Sequence, residues 1–347
     1  MWSPRRDRAR GTASPFRALH AACNTSSVSR PSHHIPVIDL SAESDEVLAQ
    51  RLDAACRDRG FFVVTGHGVR SELIADLEAV ARAFFALDPE VKSEIAMDDG
   101  GKAWRGWFAL GSELTAGRPD HKEGIYFGSE LPADDPRPLH GPNLFPSHPA
   151  EMRDVVLEYI EAVAALGRRI VALLDRGLGL DGGLVSLVDD PTVLFRIFAY
   201  PPAVADGVEG WGVAEHSDYG LITLLLQDHI GGLQVASDDG WIDVEPIAGS
   251  FVCNIGDMLE RATGGTYRST PHRVRNASSQ LRLSFPLFFD PGWSVRVTRL
   301  IASEGAGRRR WDREDPLLFE GTYGEYLMSR VRRVFPQLGE AYLDERL

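Results

Sequence analysis

Several things are scarce in this 347-residue chain. No apolar run nears the roughly 20 residues that a membrane-spanning helix requires. The longest candidate, Leu221 to Leu226, has the length of a strand. Positive charge is in deficit, with 37 Lys and Arg against 50 Asp and Glu, a net charge of -13. That balance disfavours nucleic acid or anionic lipid as a main partner, but leaves open a small anion in a local basic pocket. Cysteine is rare: Cys23, Cys56 and Cys253, none in a C-x-x-C pair. Cys56 and Cys253 lie in apolar surroundings and are expected as buried thiols in a reducing compartment. Gly177-Leu178-Gly179-Leu180-Asp181-Gly182 spells Gly-x-Gly-x-x-Gly, but it follows a run that reads as helix and not a strand, so a nucleotide-binding sheet is disfavoured, and there is no internal repeat. Residues 1–33 almost lack acid: six arginines face one aspartate, Asp7. They also lack the apolar segment of a secretory signal. Pro4, Pro15 and Pro31 break any long amphipathic helix. Residues 1–34 are therefore read as a disordered basic tail in preference to an organelle transit segment.

Folded sequence is expected from residue 35 as one structural unit. Ile35 to Leu40 reads as a strand, followed by a helix with Val47, Leu48, Leu52 and Ala55 on one face. Phe61 to Val64 reads as a buried strand. A second helix carries Leu73, Ile74, Leu77, Val80, Phe84 and Phe85. Residues 98–150, rich in Gly, Pro and aromatics, read as loops and short strands that complete an N-terminal α/β region over 35–150. A long helix is expected from Glu151 to Arg176, with Gly177 as its stop. From Val193 to about Thr298, short β-rich runs alternate with turn signals such as Gly231-Gly232 and Asp239-Gly240. That texture predicts an all-β sandwich or barrel over about 190–300, and the chain from 314 onward reads as helical again.

Within the β-rich half stands His216-Ser217-Asp218, with His272 54 residues after Asp218. Two histidines and a carboxylate can bind one face of Fe(II) and leave positions open for oxygen chemistry. In an extended segment, His-x-Asp places both side chains on one side. His121-Lys122-Glu123 has a similar look but sits in loop-like sequence with no anion-binding strand at comparable distance. His67, His140, His148 and His229 lie near Gly or Pro turns and are expected to be solvated or capping. Downstream, Arg282-Leu283-Ser284 puts a guanidinium and a hydroxyl on one strand face. An inward arginine needs an anion, either a protein carboxylate or a ligand's, and Tyr200 offers a further hydroxyl. Zinc is the rival metal, but a three-ligand zinc site leaves the Arg-x-Ser strand unexplained.

The ordered set of motifs resembles the isopenicillin N synthase-like branch of the iron(II)/2-oxoglutarate-dependent dioxygenases. The set is Ile35-Pro36-Val37-Ile38-Asp39-Leu40, Gly60-Phe61-Phe62, Gly66-His67-Gly68, Tyr200-Pro201-Pro202, His216-Ser217-Asp218-Tyr219-Gly220, Gly231 to Val235, Asn254-Ile255-Gly256-Asp257, Tyr267 to Val274 and Arg282-Leu283-Ser284. It covers roughly residues 35–300. The resemblance implies a mainly β fold with flanking helices, built on a distorted double-stranded β-helix, or jelly-roll. It implies Fe(II) on His216, Asp218 and His272, and 2-oxoglutarate held at its distal carboxylate by Arg282, Ser284 and Tyr200. It implies oxidation, most often hydroxylation, of a small organic substrate by O2, with release of succinate and CO2. Some relatives carry asparagine where this chain has Phe198, which removes one polar contact.

In relatives, the aromatic segment around 104–109 helps wall the substrate pocket. Arg105, Trp107, Phe108, Tyr126, Phe289 and Tyr323 are the candidate substrate residues, with Arg105 suited to a substrate carboxylate. The chain is expected to be a cytoplasmic monomer acting on a small molecule, without nucleic acid or membrane partners. Two alternatives stay open at this point. One is an iron oxidase that uses Arg282 and Ser284 for its substrate's own carboxylate. The other is a non-catalytic ligand-binding module on the same scaffold.

Overall fold

A computed structural model describes residues 34–115, 117–203, 211–302 and 315–336. The expected tail, apart from His34, lies outside the described residues, as does Cys23. The N-terminal part runs β1 (Val37–Asp39), α1 (Asp45–Asp58), β2 (Phe61–Thr65), α2 (Ser71–Phe85), α3 (Pro89–Lys92), β3 (Gly106–Phe108), β4 (Leu114–Thr115), β5 (Arg118–Pro119) and β6 (Glu123–Gly128). The long helix α4 (Met152–Leu178) follows, then β7 (Thr192–Tyr200), β8 (Val213–His216), β9 (Ile222–Gln227), β10 (Leu233–Ser237), β11 (Gly240–Asp243) and β12 (Phe251–Ile255). The described chain closes with α5 (Asp257–Ala262), β13 (His272–Val274), β14 (Arg282–Asp290) and α6 (Tyr323–Val334).

The strands form an eight-stranded sheet in the order β1-β2-β12-β9-β14-β7-β6-β3 and a four-stranded sheet in the order β11-β10-β13-β8. All pairings in these sheets are antiparallel except β1 with β2. This is the mainly β, helix-flanked double-stranded β-helix that the resemblance implied. β7 and β14 are buried along almost their whole length. Both faces are covered, so the strands read as nearly continuous apolar runs. On one face, α4 packs its Tyr159 ring 5.0 Å from Phe195 and 6.4 Å from Phe251. On the other face, residues of both sheets line a single cavity. The β14–β7 ladder skips at Phe285-Pro286, where proline has no N–H to give.

Three local expectations are corrected. Val47 does not join the buried face of α1; it is exposed, and Ala49 and Cys56 are buried instead. Gly177 does not stop α4. It stays helical against α1, where an added Cβ would come 2.7 Å from the Ala49 carbonyl oxygen. The helix ends at Gly179, whose φ of 65° is the left-handed turn that favours glycine. Strands β8, β11 and β13 are too short and polar to carry a periodic signal and are absent from the expected elements. The helical C-terminal region contains α6, with a Thr322/Glu325 capping box at its start. Residues 337–347, at the end of the region expected to be helical, lie outside the described residues. Cys56 and Cys253 are free and buried. Among the described residues, no helix is long and apolar enough to cross a membrane.

Candidate active site

His216 ends β8 and His272 begins β13, and the two are direct partners in the β8–β13 register. That pairing, not the sequence spacing, brings the imidazoles side by side, with ring centroids 4.2 Å apart. Asp218 lies just past the end of β8, in irregular backbone, instead of sharing a strand with His216. Its Oδ1 lies 3.8 Å from Nε2 of each histidine. Among the described residues these three form the one His/Cys/Asp/Glu group able to hold a metal, with ligand atoms within 4.8 Å of one another. Each histidine turns Nδ1 to a backbone carbonyl, His216 to Ala214 at 2.8 Å and His272 to Thr270 at 3.3 Å. Donation from Nδ1 leaves an Nε2 lone pair for a metal.

Asp218 Oδ2 is occupied elsewhere. It accepts from Asn254 Nδ2 at 2.6 Å and Thr223 Oγ1 at 2.5 Å, so Oδ1 is the oxygen presented to the histidines. Burial opposes ionisation of Asp218, but the two imidazoles and these hydrogen bonds outweigh it and hold the carboxyl below its ordinary value. Burial, reinforced by His216, pushes His272 down to about 4, which keeps it neutral and available as a ligand. The turn after Asp218 needs Gly220. A Cβ there would meet the Asp290 carboxylate at 1.5 Å, and that carboxylate accepts from Leu221 N at 2.9 Å.

Arg282 opens β14 opposite Tyr200, and Ser284 lies opposite Phe198. Strand alternation turns Arg282 and Ser284 into the cavity and Leu283 and Phe285 away from it. Arg282 is fully buried. Its Nε donates to the Gly231 carbonyl, while Nη1 and Nη2 have no hydrogen-bond partner among the described residues. No described carboxylate forms an ion pair with it, so the protein-carboxylate reading is not met. Tyr200 Oη and Ser284 Oγ are 3.3 Å apart, and the guanidinium lies 4.7 Å from the Tyr200 ring centre. Orphaned, buried guanidinium nitrogens beside two hydroxyls fit a ligand carboxylate, and the His-Asp-His donors fit a divalent metal.

Of the six candidate substrate residues, Arg105, Tyr126 and Tyr323 line the cavity, whereas Trp107, Phe108 and Phe289 do not. Phe289 is one residue out of phase with the cavity face of β14. Phe288 and Asp290 face inward, while Phe289 packs onto Gly167 of α4. Trp107 donates Nε1 to Glu123 at 2.7 Å. Phe108 stands behind the wall, with its ring 5.4 Å from Tyr126 and 5.6 Å from Phe335. Arg105 spends both Nη atoms on the carbonyls of Ala103 and Leu139, at 3.1 and 2.9 Å. Burial, with Arg196 nearby, lowers its value to about 9.

Sequence reasoning passed over several cavity residues. Lys122, set aside with the His121 motif, is buried in the wall and ion-paired to Asp120 and to Glu113 at 3.0 Å. Burial would lower Lys122, but these two carboxylates outweigh it and hold the ammonium above its usual range. Arg196, Leu327, Val331 and Phe335 also line the cavity. Asn254 and Asp257 stood in a noted motif without a role. His140 is buried, contrary to expectation, with Nδ1 2.8 Å from the Pro138 carbonyl, whereas His148 and His229 are exposed.

A His-Asp-His group able to hold a metal and a buried guanidinium stand on one double-stranded β-helix, and comparison with known proteins gives the class. Residues 35–148 match the non-haem dioxygenase N-terminal family, and residues 190–291 match the 2OG-Fe(II) oxygenase superfamily. The chain is 41% identical to the "Probable iron/ascorbate oxidoreductase" of Dictyostelium discoideum over 88% of its own length and 95% of the relative's. It is 34% identical to a homoarginine-6-hydroxylase of Arabidopsis thaliana, covering 88% and 90% of the two chains. A full-length Neurospora crassa protein, crystallised in complex with α-KG, superposes with a TM-score of 0.71 at 28% identity, covering 86% and 95%. The chain belongs to the Fe(II)/2-oxoglutarate-dependent oxygenases of the isopenicillin N synthase-like type. It is an enzyme that takes Fe(II), 2-oxoglutarate and O2 and acts on a small molecule.

Proposed function

We propose that His216, Asp218 and His272 hold the iron, that Arg282, Ser284 and Tyr200 hold the distal carboxylate of 2-oxoglutarate, and that the remaining cavity wall receives a small organic molecule for hydroxylation. The observation that carries this reading is the pairing of one Asp218 oxygen, facing two Nε2 atoms, with a buried guanidinium whose Nη atoms have no hydrogen-bond partner among the described residues. Bound iron with its co-substrate supplies the oxidising chemistry, reducing O2 as 2-oxoglutarate becomes succinate and CO2.

The chain's own residues orient and exclude. Asn254 and Thr223 fix which Asp218 oxygen faces the metal position. The β8–β13 register fixes the imidazoles, and the β7–β14 register sets Tyr200 against Arg282. Leu327, Val331, Val334 and Phe335, at the end of the chain's described part, close the cavity with apolar side chains. Keeping water out protects a reactive centre until substrate is in place. No side chain is needed to move a proton to or from the substrate.

The protein is read as working without nucleic acid or membrane. Succinate formation that requires both Fe(II) and 2-oxoglutarate, and that is lost in His216→Ala and Asp218→Ala with the fold retained, tests the assignment. Full turnover without 2-oxoglutarate would transfer Arg282 and Ser284 to a substrate carboxylate instead.

A further inference from the structure

We propose that Arg196 anchors a carboxylate of the substrate, so that the molecule oxidised here is a small organic acid. This rests on the function proposed above and names the substrate class of the same site.

Arg196 sits in the middle of β7, more than nine-tenths buried, and lines the cavity. It faces the same side as Phe198 and Tyr200 because side chains alternate along the strand. Four positions separate it from Tyr200, roughly 13 Å of strand, so it belongs to a different part of the cavity from the Arg282 clamp. Directly across on β6 is Tyr126, over whose ring the guanidinium carbon lies 3.4 Å from the centre. Nη1 donates to the carbonyls of Phe127 and Phe195, both at 3.1 Å.

No carboxylate among the described residues forms an ion pair with Arg196. The two that influence it electrostatically, Glu113 and Asp290, are engaged elsewhere. Glu113 takes Lys122 at 3.0 Å and the Tyr126 hydroxyl at 2.7 Å. Asp290 accepts from Tyr323 Oη at 2.5 Å and from Leu221 N. Burial also drives Asp290 up to about 7, so it offers only part of a negative charge at neutral pH. A buried cation without an ion-pair partner is costly, and an incoming anion relieves that cost. Arg105, the other guanidinium of this wall, has already given both Nη atoms to backbone carbonyls. Arg196 is therefore the group with charge to spare, and its planar fork matches a carboxylate.

The test uses the whole enzyme with Fe(II) and saturating 2-oxoglutarate. Succinate formation is measured with a panel of small carboxylic acids, including 1-aminocyclopropane-1-carboxylate and homoarginine, each beside its primary amide. At least one acid is expected to accelerate succinate formation, and its amide should need about tenfold or more higher concentration. Arg196→Lys should keep the preference for the acid, and Arg196→Met should abolish it. The anchor is rejected if amides serve as well as acids, if no acid accelerates the reaction, or if Arg196→Met keeps the full preference. If Arg196→Met does not fold, the acid and amide comparison in wild type and Arg196→Lys decides. Calorimetry of the wild type with Mn(II) and 2-oxoglutarate separates the two levels. Absence of binding rejects the underlying function and the anchor with it, whereas binding without acid preference rejects the anchor alone.

Discussion

Asn254 Nδ2 lies 2.6 Å from Asp218 Oδ2, and this contact, with Thr223 on the same oxygen, decides which face of the carboxylate meets the two histidines. Partners behind a metal ligand commonly change metal affinity by roughly 10- to 100-fold when removed. Asn254→Leu is therefore expected to weaken anaerobic Fe(II) or Mn(II) binding by about that factor, while kcat at saturating metal falls less. Calorimetry gives the number. Unchanged affinity would mean that Asp218 is oriented by other contacts.

Arg282→Leu is expected to raise the KM for 2-oxoglutarate by about 30-fold or more, the loss that follows when a charged hydrogen-bonded pair is removed. Its thermal midpoint without 2-oxoglutarate should not drop much, because the wild-type guanidinium has two buried nitrogens without hydrogen-bond partners among the described residues. The stabilisation that 2-oxoglutarate gives the Mn(II)-loaded wild type should vanish. A KM equal to wild type would remove Arg282 from the clamp.

The raised value of Asp290 carries a pH signature. Burial is the cause, only partly offset by the hydrogen bonds from Tyr323 and Leu221. Between the ordinary aspartate value near 4 and about 7, the folded state holds a proton that the unfolded state has released. Stability from this group is thus full at low pH and is lost as pH rises through that window. Asp290→Asn removes the dependence. The midpoint of the wild type, relative to Asp290→Asn, should fall from about pH 4 to about pH 7 and then level. The comparison cancels His272, whose lowered value acts in the opposite direction. A difference that stays constant with pH would contradict the assignment.

Gly167→Ala sets two effects against each other. Alanine gains roughly 1 kcal/mol of helix propensity. Its Cβ would stand 2.8 Å from the Phe289 ring, which is itself fully buried. Overpacking of that kind costs about 1–3 kcal/mol. The expected outcome is net destabilisation of about 1 kcal/mol in denaturant unfolding; a stabilised variant would show that α4 can move off the sheet.

The parts of the site carried by strong local patterns were legible. Arg282 and Ser284 could be placed on one face because β14 is long and strand alternation is regular. The same rule misplaced Phe289, since the phase that turns Arg282 inward turns every odd residue of β14 outward. Val47 failed for a related reason: helical spacing marks a stripe, but the stripe's edge depends on where α4 approaches. Arg196 and Lys122 carried no signal. A lone arginine in an apolar run and a lysine beside a histidine are common, and only the closing of both sheets around one cavity gives them a role.

By itself the sequence determined the chemical inventory: two histidines and an aspartate of metal-ligand type, an arginine and serine at strand spacing, and a net acidic chain with no apolar run long enough for a membrane-spanning helix. It also determined the order of the motifs that mark the family. Tertiary structure decided the rest. His216 and His272, 56 positions apart, become neighbours only because β8 pairs with β13 in one register. Likewise, Arg196 is a cation without an ion-pair partner among the described residues only because packing commits Glu113 to Lys122 and Asp290 to Tyr323. Hydrogen-bond register and burial act between distant segments, so no local stretch of sequence specifies them.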